Sequence, residues 1–259
     1  MNSPDAHGSG LTATALDPLR YSGISDDPWE AHVILQGLMP SGVRVLDVGC
    51  GCGPATVMAN HGKNNEVHGI EPDPDRAAAA RARGFDVSCG YLTADYFAQH
   101  GSFDVIMFAD VLEHLPDPAS MLALALTGLR PGGYLLISVP NVAHWTVRWQ
   151  LVWGNFNYMP SGIRDATHLR WFTRRTLEQL LTRLGLEIVE FRHSSGLYTP
   201  DYDIFPWNRM PQKMKEKVVH GGTRLFPLLF GCQHVVKARR ASRSAAVATP
   251  PAVPVAEEV

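Results

Sequence analysis

The chain has 259 residues, a formal net charge of −2, 45% hydrophobic residues and 19% charged ones. That length suits one domain with elaborations, and the composition is ordinary globular with a sizeable core. The near-neutral charge argues against a nucleic-acid or anionic-membrane partner, and no apolar run of about 18 residues suggests a membrane span.

In chain order, residues 1–17 are rich in Ser, Gly, Ala, Thr and Asp and read as a disordered lead-in. They hold no basic stretch followed by an apolar one, so a cytoplasmic address is expected. Pro28–Met39 places Trp29, Val33 and Leu38 at helical spacing. The first strand is Val43–Val48. It breaks into Gly49, Gly51 and Gly53, and Pro54 then opens a helix that Gly62 closes. Strand two, Glu66–Ile70, ends at Glu71. Pro72-Asp73-Pro74 starts an Ala-rich helix over Asp75–Arg83, and strand three is Phe85–Cys89. A short helix around Ala94–His100 precedes strand four, Phe103–Ala109, whose unbroken apolar run suits a central parallel strand covered on both faces. The helix Pro118–Leu129, a turn at Arg130–Gly133 and strand five at Tyr134–Val139 follow.

The strand–helix rhythm then breaks. Residues 140–172 hold several aromatics, His and Arg without a clean period. Thr173 reads as an N-cap for the helix Arg174–Leu184, and strand six is Leu186–Phe191. A second insert, 194–230, contains a short helix after Pro211. The last strand is Gln233–Ala238, and 241–259 is an Ala/Pro/Val-rich tail. Alternating strands and helices predict an α/β fold with a mostly parallel sheet and right-handed crossovers. One domain is expected over 18–240, with the two inserts as its lid and acceptor region. Cys50, Cys52, Cys89 and Cys232 lack zinc-ligand spacing and read as reduced thiols, so no metal is expected.

Val45–Gly53, VLDVGCGCG, is a strand running into a glycine turn, the kind of site where α/β proteins bind nucleotide-like ligands. Its spacing departs from the dinucleotide pattern, because Pro54 stands at the third glycine position. Glu71 lies 22 residues beyond Gly49, where a carboxylate can accept both hydroxyls of a ribose. Asp47 is an acid inside an apolar strand, expensive to bury without a partner. It would repel a pyrophosphate but attract an ammonium group, which favours an amino-acid-bearing nucleoside over NAD.

Together, VLDVGCGCG, Glu71, FDVIMFADVLEHL (103–115) and RPGGYLLISVPN (130–141) resemble class I S-adenosylmethionine-dependent methyltransferases over about 43–240. PN-x-x-HW-x-x-R (140–148) and D-x-x-H-x-R-x-F-T (165–173) resemble the subset that includes MetW-like and related small-molecule methyltransferases. The resemblance implies a Rossmann-like seven-stranded sheet, order 3-2-1-4-5-7-6, with helices on both faces and strand seven antiparallel. It implies S-adenosylmethionine (SAM) as donor and S-adenosylhomocysteine as product. Gly49, Cys50, Gly51 and Gly53 would approach the cofactor, and Asp47 would support its methionine end directly or through water. Glu71 would take the ribose, with Pro72 near the adenine. Phe108, Ala109 and Asp110 would line the methionine side, and Tyr21 would fold over it. Relatives commonly place Gly-Asp after strand three. Here the pair is Gly90-Tyr91, leaving Tyr91 or Asp95 for the adenine.

Methyl transfer from a sulfonium needs chiefly in-line positioning, and a base only for an acceptor protonated at working pH. His114, His144 and His168 are the candidate bases, His168 with Asp165 as its orienting acid. The alternative for each is a structural hydrogen bond. Trp145, Trp149, Trp153 and Phe156, spaced 4, 4 and 3, form a helical stripe that either packs a lid or walls an acceptor pocket. Arg148, Arg164 and Arg170 could hold an anionic acceptor group. The expected reaction is methylation of an oxygen or nitrogen on a small-molecule acceptor. Carbon methylation of a quinone or polyketide-type ring is an alternative. Another is a SAM-binding partner subunit of the MetW-like kind, with the aromatic insert as its protein or homodimer interface.

Overall fold

Successive strand residues point to opposite faces, and the central strands here are apolar at both parities. In β1 (Arg44–Val48), β4 (Phe103–Ala109) and β5 (Leu129–Pro140), Leu46, Ile106, Phe108, Leu135 and Ile137 feed one core. Val45, Val105, Met107 and Leu136 feed the other. Leu122 of α5 (Pro118–Thr127) and Leu177 and Leu181 of α7 (Arg174–Arg183) close the first. Leu35 and Leu38 of α1 (Ala31–Leu38), with Ala59 of α2 (Pro54–Asn60), close the second. Each fully buried Val, Leu, Ile, Phe or Met side chain contributes about 1.5–3 kcal/mol, so two-sided burial anchors the middle of the sheet.

The computed structural model describes residues 25–203 and 206–241. The expected lead-in, Tyr21 and the tail beyond Ala241 lie outside them. With β2 (Glu66–Glu71), β3 (Asp86–Cys89), β6 (Leu186–Ser194) and β7 (Gln233–Arg240), the sheet runs β3-β2-β1-β4-β5-β7-β6. β7 is antiparallel to both its neighbours, and the pairs from β3 to β5 are parallel. The expected fold and strand order are therefore those observed.

Several boundaries differ for local reasons. Asp27 accepts the Trp29 N–H at 2.9 Å, closing a turn ahead of α1, so that helix starts at Ala31 rather than Pro28. Asp73 and Asp117 cap α3 (Pro74–Arg81) and α5, each with Pro at the first helical position. β5 begins at Leu129: Phe103 pairs with Leu129 and Val105 with Tyr134, which makes the expected turn at 130–133 a bulge within the strand. β6 and β7 extend through polar residues, Ser194 opposite Gln233 and Leu186 opposite Arg240. Between β5 and α7, α6 (Trp145–Val152) is the one regular helix of the first insert, and α8 (Gln212–Leu225) occupies the second.

Thr173 caps α7 reciprocally. Its hydroxyl accepts the Thr176 N–H at 3.2 Å, and its own N–H donates to the Thr176 hydroxyl at 2.9 Å. Thr173→Ala is expected to lower unfolding free energy by about 1 kcal/mol. Urea denaturation checks this, and an unchanged midpoint would remove the cap from the forces holding α7.

Candidate functional site

β1 releases the chain at Val48 into a turn whose positive φ angles favour glycine. Gly49, Gly51 and Gly53 have φ of +72°, +55° and +86°. A Cβ on Gly49 would stand 2.9 Å from the Val111 side chain, and one on Gly53 2.8 Å from the Phe85 ring. The turn is tied to β2. Gly49 and Cys50 donate their N–H groups to the Ile70 carbonyl at 2.7 and 3.2 Å. Glu71, 4% exposed, accepts the Gly51 N–H at 2.9 Å and the Asp73 N–H at 3.1 Å. A carboxylate has about four lone-pair sites, so both oxygens keep acceptor capacity.

Asp47 sits behind this turn. It is 1% exposed and does not border the cavity described next. One carboxylate oxygen accepts the Thr56 hydroxyl at 2.6 Å; the other, Oδ1, is buried without a partner. Burial pushes its pKa up to about 7, against the Thr56 bond and with a smaller contribution from Glu71. Of the two expected ways for Asp47 to support the methionine end, directly or through water, the direct one is not built by this geometry.

A cavity of about 860 Å³ opens at the carboxyl ends of β1, β2 and β4, the usual ligand crevice of an α/β sheet. Gly49, Cys50, Gly51, Glu71, Pro72, Tyr91, Ala109 and Asp110 border it, as does Glu30. Tyr91 is 77% exposed, so its ring is available at the rim. The inserts add Gly162, Ile163, Thr167, His168, Gly196 and Thr199 to the lining.

The chain leaving β4 is strained and then pinned. Asp110 adopts φ +56°, unusual for a non-glycine residue. Its carboxylate accepts the Ser138 hydroxyl at 2.9 Å and the Gln233 amide at 2.7 Å. A single 3-10 turn, Leu112–His114, follows. The Glu113 carbonyl accepts the N–H groups of Leu169 and Arg170 at 2.8 and 2.9 Å, which docks the D-x-x-H-x-R segment against this turn. The His114 and His168 rings consequently lie 4.9 Å apart, both bordering the cavity beside the Glu113 carboxylate. Burial pushes the Glu113 pKa well up, with Asp110 and Asp165 adding to it. Glu30 rises to about 7, through burial and then Asp27 and Asp110. Asp110 also rises, through burial.

Several expected site residues are elsewhere. His144 is fully buried and does not reach the cavity. It caps α6, its ring nitrogens pair with the Thr146 and Tyr202 hydroxyls, and burial pushes its pKa down to about 4. It is thus a neutral structural histidine rather than a base facing the acceptor. Phe108 points into the sheet core, so only its neighbours Ala109 and Asp110 border the cavity. Asp95 is exposed on α4 (Ala94–His100), away from the cavity. Arg164 is buried in an ion pair with Asp201 at 3.1 Å, Arg148 donates to the Ala143 carbonyl, and Arg170 donates to the Pro116 carbonyl. None of the three borders the cavity. The aromatic stripe splits as well: Trp145 packs on Tyr202 and Trp207, whereas Trp149 and Trp153 are 59% and 66% exposed. The stripe does not wall the pocket.

Glu113 and Glu30 are the lining acids that sequence reasoning passed over. Glu113 stands in the quoted FDVIMFADVLEHL motif beside His114, and the adjacent Glu-His pair just after a central strand was the available signal. Glu30 precedes α1 and carries no comparable mark.

A family described as methyltransferase domain matches residues 20–191. The ubiquinone biosynthesis O-methyltransferase of Xanthomonas axonopodis pv. citri is 34% identical over 144 residues, 53% of this chain and 55% of the relative. The chain thus spans about half the length of the curated relatives it matches. A SAM-dependent methyltransferase structure from Archaeoglobus fulgidus superposes with TM-score 0.51 at 20% identity, covering 81% of this chain and 94% of that one. A phosphoethanolamine N-methyltransferase of Haemonchus contortus, solved with S-adenosylhomocysteine, gives 0.53 at 17% identity, covering 83% and 53%. At such identities these likenesses show the fold alone. With the family match spanning most of the chain, and the sheet order and glycine turn in place, the chain belongs to the class I S-adenosylmethionine-dependent methyltransferases.

Proposed function

We propose that the chain transfers a methyl group from SAM to a hydroxyl oxygen of a small-molecule acceptor. The observation that carries this is one cavity bordered both by a glycine turn with an acid at the end of β2 and by a Glu-His-His cluster. Glu30, Glu71, Asp110 and Glu113 border it against one arginine, Arg76, and this excess of acid favours a cation, as the sulfonium donor is. Its roughly 860 Å³ lies near the upper end of small-molecule sites, about 300–1,000 Å³, and suits a donor and an acceptor side by side.

In this reading Glu71 accepts the ribose hydroxyls with its remaining lone pairs while still holding Gly51 in place. The backbone of Gly49–Gly51 packs beneath the donor, Pro72 and Tyr91 flank the adenine, and Ala109 and Asp110 face the methionine part. His114 and His168 sit where an acceptor hydroxyl would meet the methyl group, so either could take its proton. The curated relatives named as O-methyltransferases support oxygen over nitrogen or carbon as the acceptor atom.

A second reading, a subunit that works with a protein partner, is favoured by one observation. Trp149, Val152 and Trp153 project from the end of α6 at 59%, 73% and 66% exposure. A single monomeric species in sedimentation of a catalytically competent preparation would dismiss it.

Glu71→Ala should weaken SAM binding at least about tenfold, the worth of one charge-assisted hydrogen bond. Titration calorimetry measures this, and wild-type affinity in the variant would remove Glu71 from the donor site. Asp47 generates a pH prediction. Its folded pKa of about 7 lies above its ordinary 3.8, so between the two the folded chain holds a proton that the unfolded chain has released. Its contribution is therefore fully present below about 4 and lost as pH rises through about 7. The unfolding free energy of the ligand-free wild type, minus that of Asp47→Asn, should fall across that window in urea titrations. A difference independent of pH would show Asp47 to be ionised throughout.

A further inference from the structure

We propose that Glu113, His114 and His168 form a binding site for a divalent transition-metal ion, which holds and acidifies the acceptor hydroxyl. The inference rests on the methyl-transfer reading for its chemistry but not for the site itself. One ring nitrogen of each histidine and one carboxylate oxygen of Glu113 lie within 4.8 Å of one another. Donor atoms bound at about 2.1 Å around one ion stand roughly 3–3.5 Å apart. Closing the set on an ion therefore asks for small side-chain rotations, not a new backbone.

Glu113 supplies the independent observation. It is 1% exposed, and neither of its carboxylate oxygens has a hydrogen-bond partner. A buried carboxylate with both oxygens unsatisfied costs free energy unless a cation or a donor arrives to meet it. Its backbone carbonyl is occupied by Leu169 and Arg170, so the residue is fixed while its side chain is left without a bond.

The histidine tautomers suit metal ligation. The Nδ1 of His168 stands 3.1 Å from the Ile163 carbonyl, which can only accept, so that nitrogen carries the proton. The Nδ1 of His114 stands 3.2 Å from both the carbonyl and the hydroxyl of Thr167. That hydroxyl gives its own proton to the Asp165 carboxylate at 2.6 Å, so again Nδ1 must donate. In both rings the lone pair is therefore on Nε2, and an Nδ1–H held by a backbone carbonyl is the recurrent outer support of metal-bound histidine. The T-shaped packing of the rings accounts for their proximity but leaves Glu113 unexplained.

Two imidazoles and one carboxylate suit zinc, manganese or iron and leave at least one coordination position open. The three residues border the same cavity as the glycine turn, so an open position can receive the acceptor. Coordination would lower the pKa of a bound hydroxyl, whose proton then leaves to solvent, so with an ion in place neither histidine acts as the base. The oxygen then forms its bond to the methyl carbon while the carbon–sulfur bond breaks, both electrons of that bond staying on sulfur. The spacing of cysteines and histidines along the chain gave no hint of this, because 54 residues separate His114 from His168.

The test uses the full-length chain, freed of any affinity tag and stripped with a chelator. Zn²⁺ is titrated by calorimetry, and Co²⁺ is followed by its visible ligand-field absorption. One ion per chain is expected. Glu113→Gln and His168→Gln should each weaken it at least about tenfold, with each variant still unfolding in one cooperative thermal transition. No saturable binding to a chain that still binds SAM overturns the metal site and leaves the donor reading standing. Binding that neither substitution alters places the ion elsewhere and also overturns it. Metal binding without SAM binding would uphold the site and count against the methyl-transfer reading.

Discussion

The tie between the glycine turn and the end of β2 governs the site. In a parallel sheet the strands end together at one edge, and each end leaves backbone groups to be satisfied. Here the N–H groups of Gly49 and Cys50 take the Ile70 carbonyl, and Gly51 takes the Glu71 carboxylate. The turn can do this only because its glycines accept positive φ and because Val111 and Phe85 fill the space where side chains would stand. The backbone is then held open against the cavity, and α2 departs behind it from Pro54. The two cores lock β1 and β4 on either side, so the loop inherits the rigidity of the sheet.

Charge sets the second constraint. The cavity gathers four acids, and burial raises the pKa of three of them, Glu30, Asp110 and Glu113. Asp47 adds a fifth carboxyl just behind the wall. A positively charged ligand relieves this concentration of acid, and the desolvation that raises those pKa values also strengthens its attraction. Opposite logic holds for His144, whose burial favours the neutral ring and suits a helix cap between Thr146 and Tyr202.

Much of the fold was legible because its signals are local. Strand parity, prolines at helix starts and glycine stops lie along the chain, and a family resemblance added the strand order. Strand ends were less legible: β6 and β7 continue through His193, Ser194, Arg239 and Arg240, polar residues whose backbones pair with the facing strand whatever their side chains prefer. Glu71 and the glycine turn could be read because their spacing follows from a strand–turn–helix unit. His144 could not, since its place after strand five does not say which way its side chain turns. The Trp149 and Trp153 spacing is helical, but period alone cannot distinguish a face turned to the core from one turned outward. The Glu113–His114–His168 cluster depends on a long-range contact, the docking of Leu169 and Arg170 on one carbonyl, which no local pattern encodes.

The proposal that draws fold, turn and cluster together is that methyl groups pass across this cavity from a sulfonium to an oxygen. Incubation of the purified chain with methyl-labelled SAM and a small-molecule extract of the producing cell, followed by mass spectrometry, addresses it most directly. The expected result is label in a compound one methylene heavier than its precursor, attached through oxygen, together with S-adenosylhomocysteine in equal amount. Label that remains on SAM while the chain binds it saturably would contradict a catalytic role, and label on carbon or nitrogen would contradict the acceptor atom.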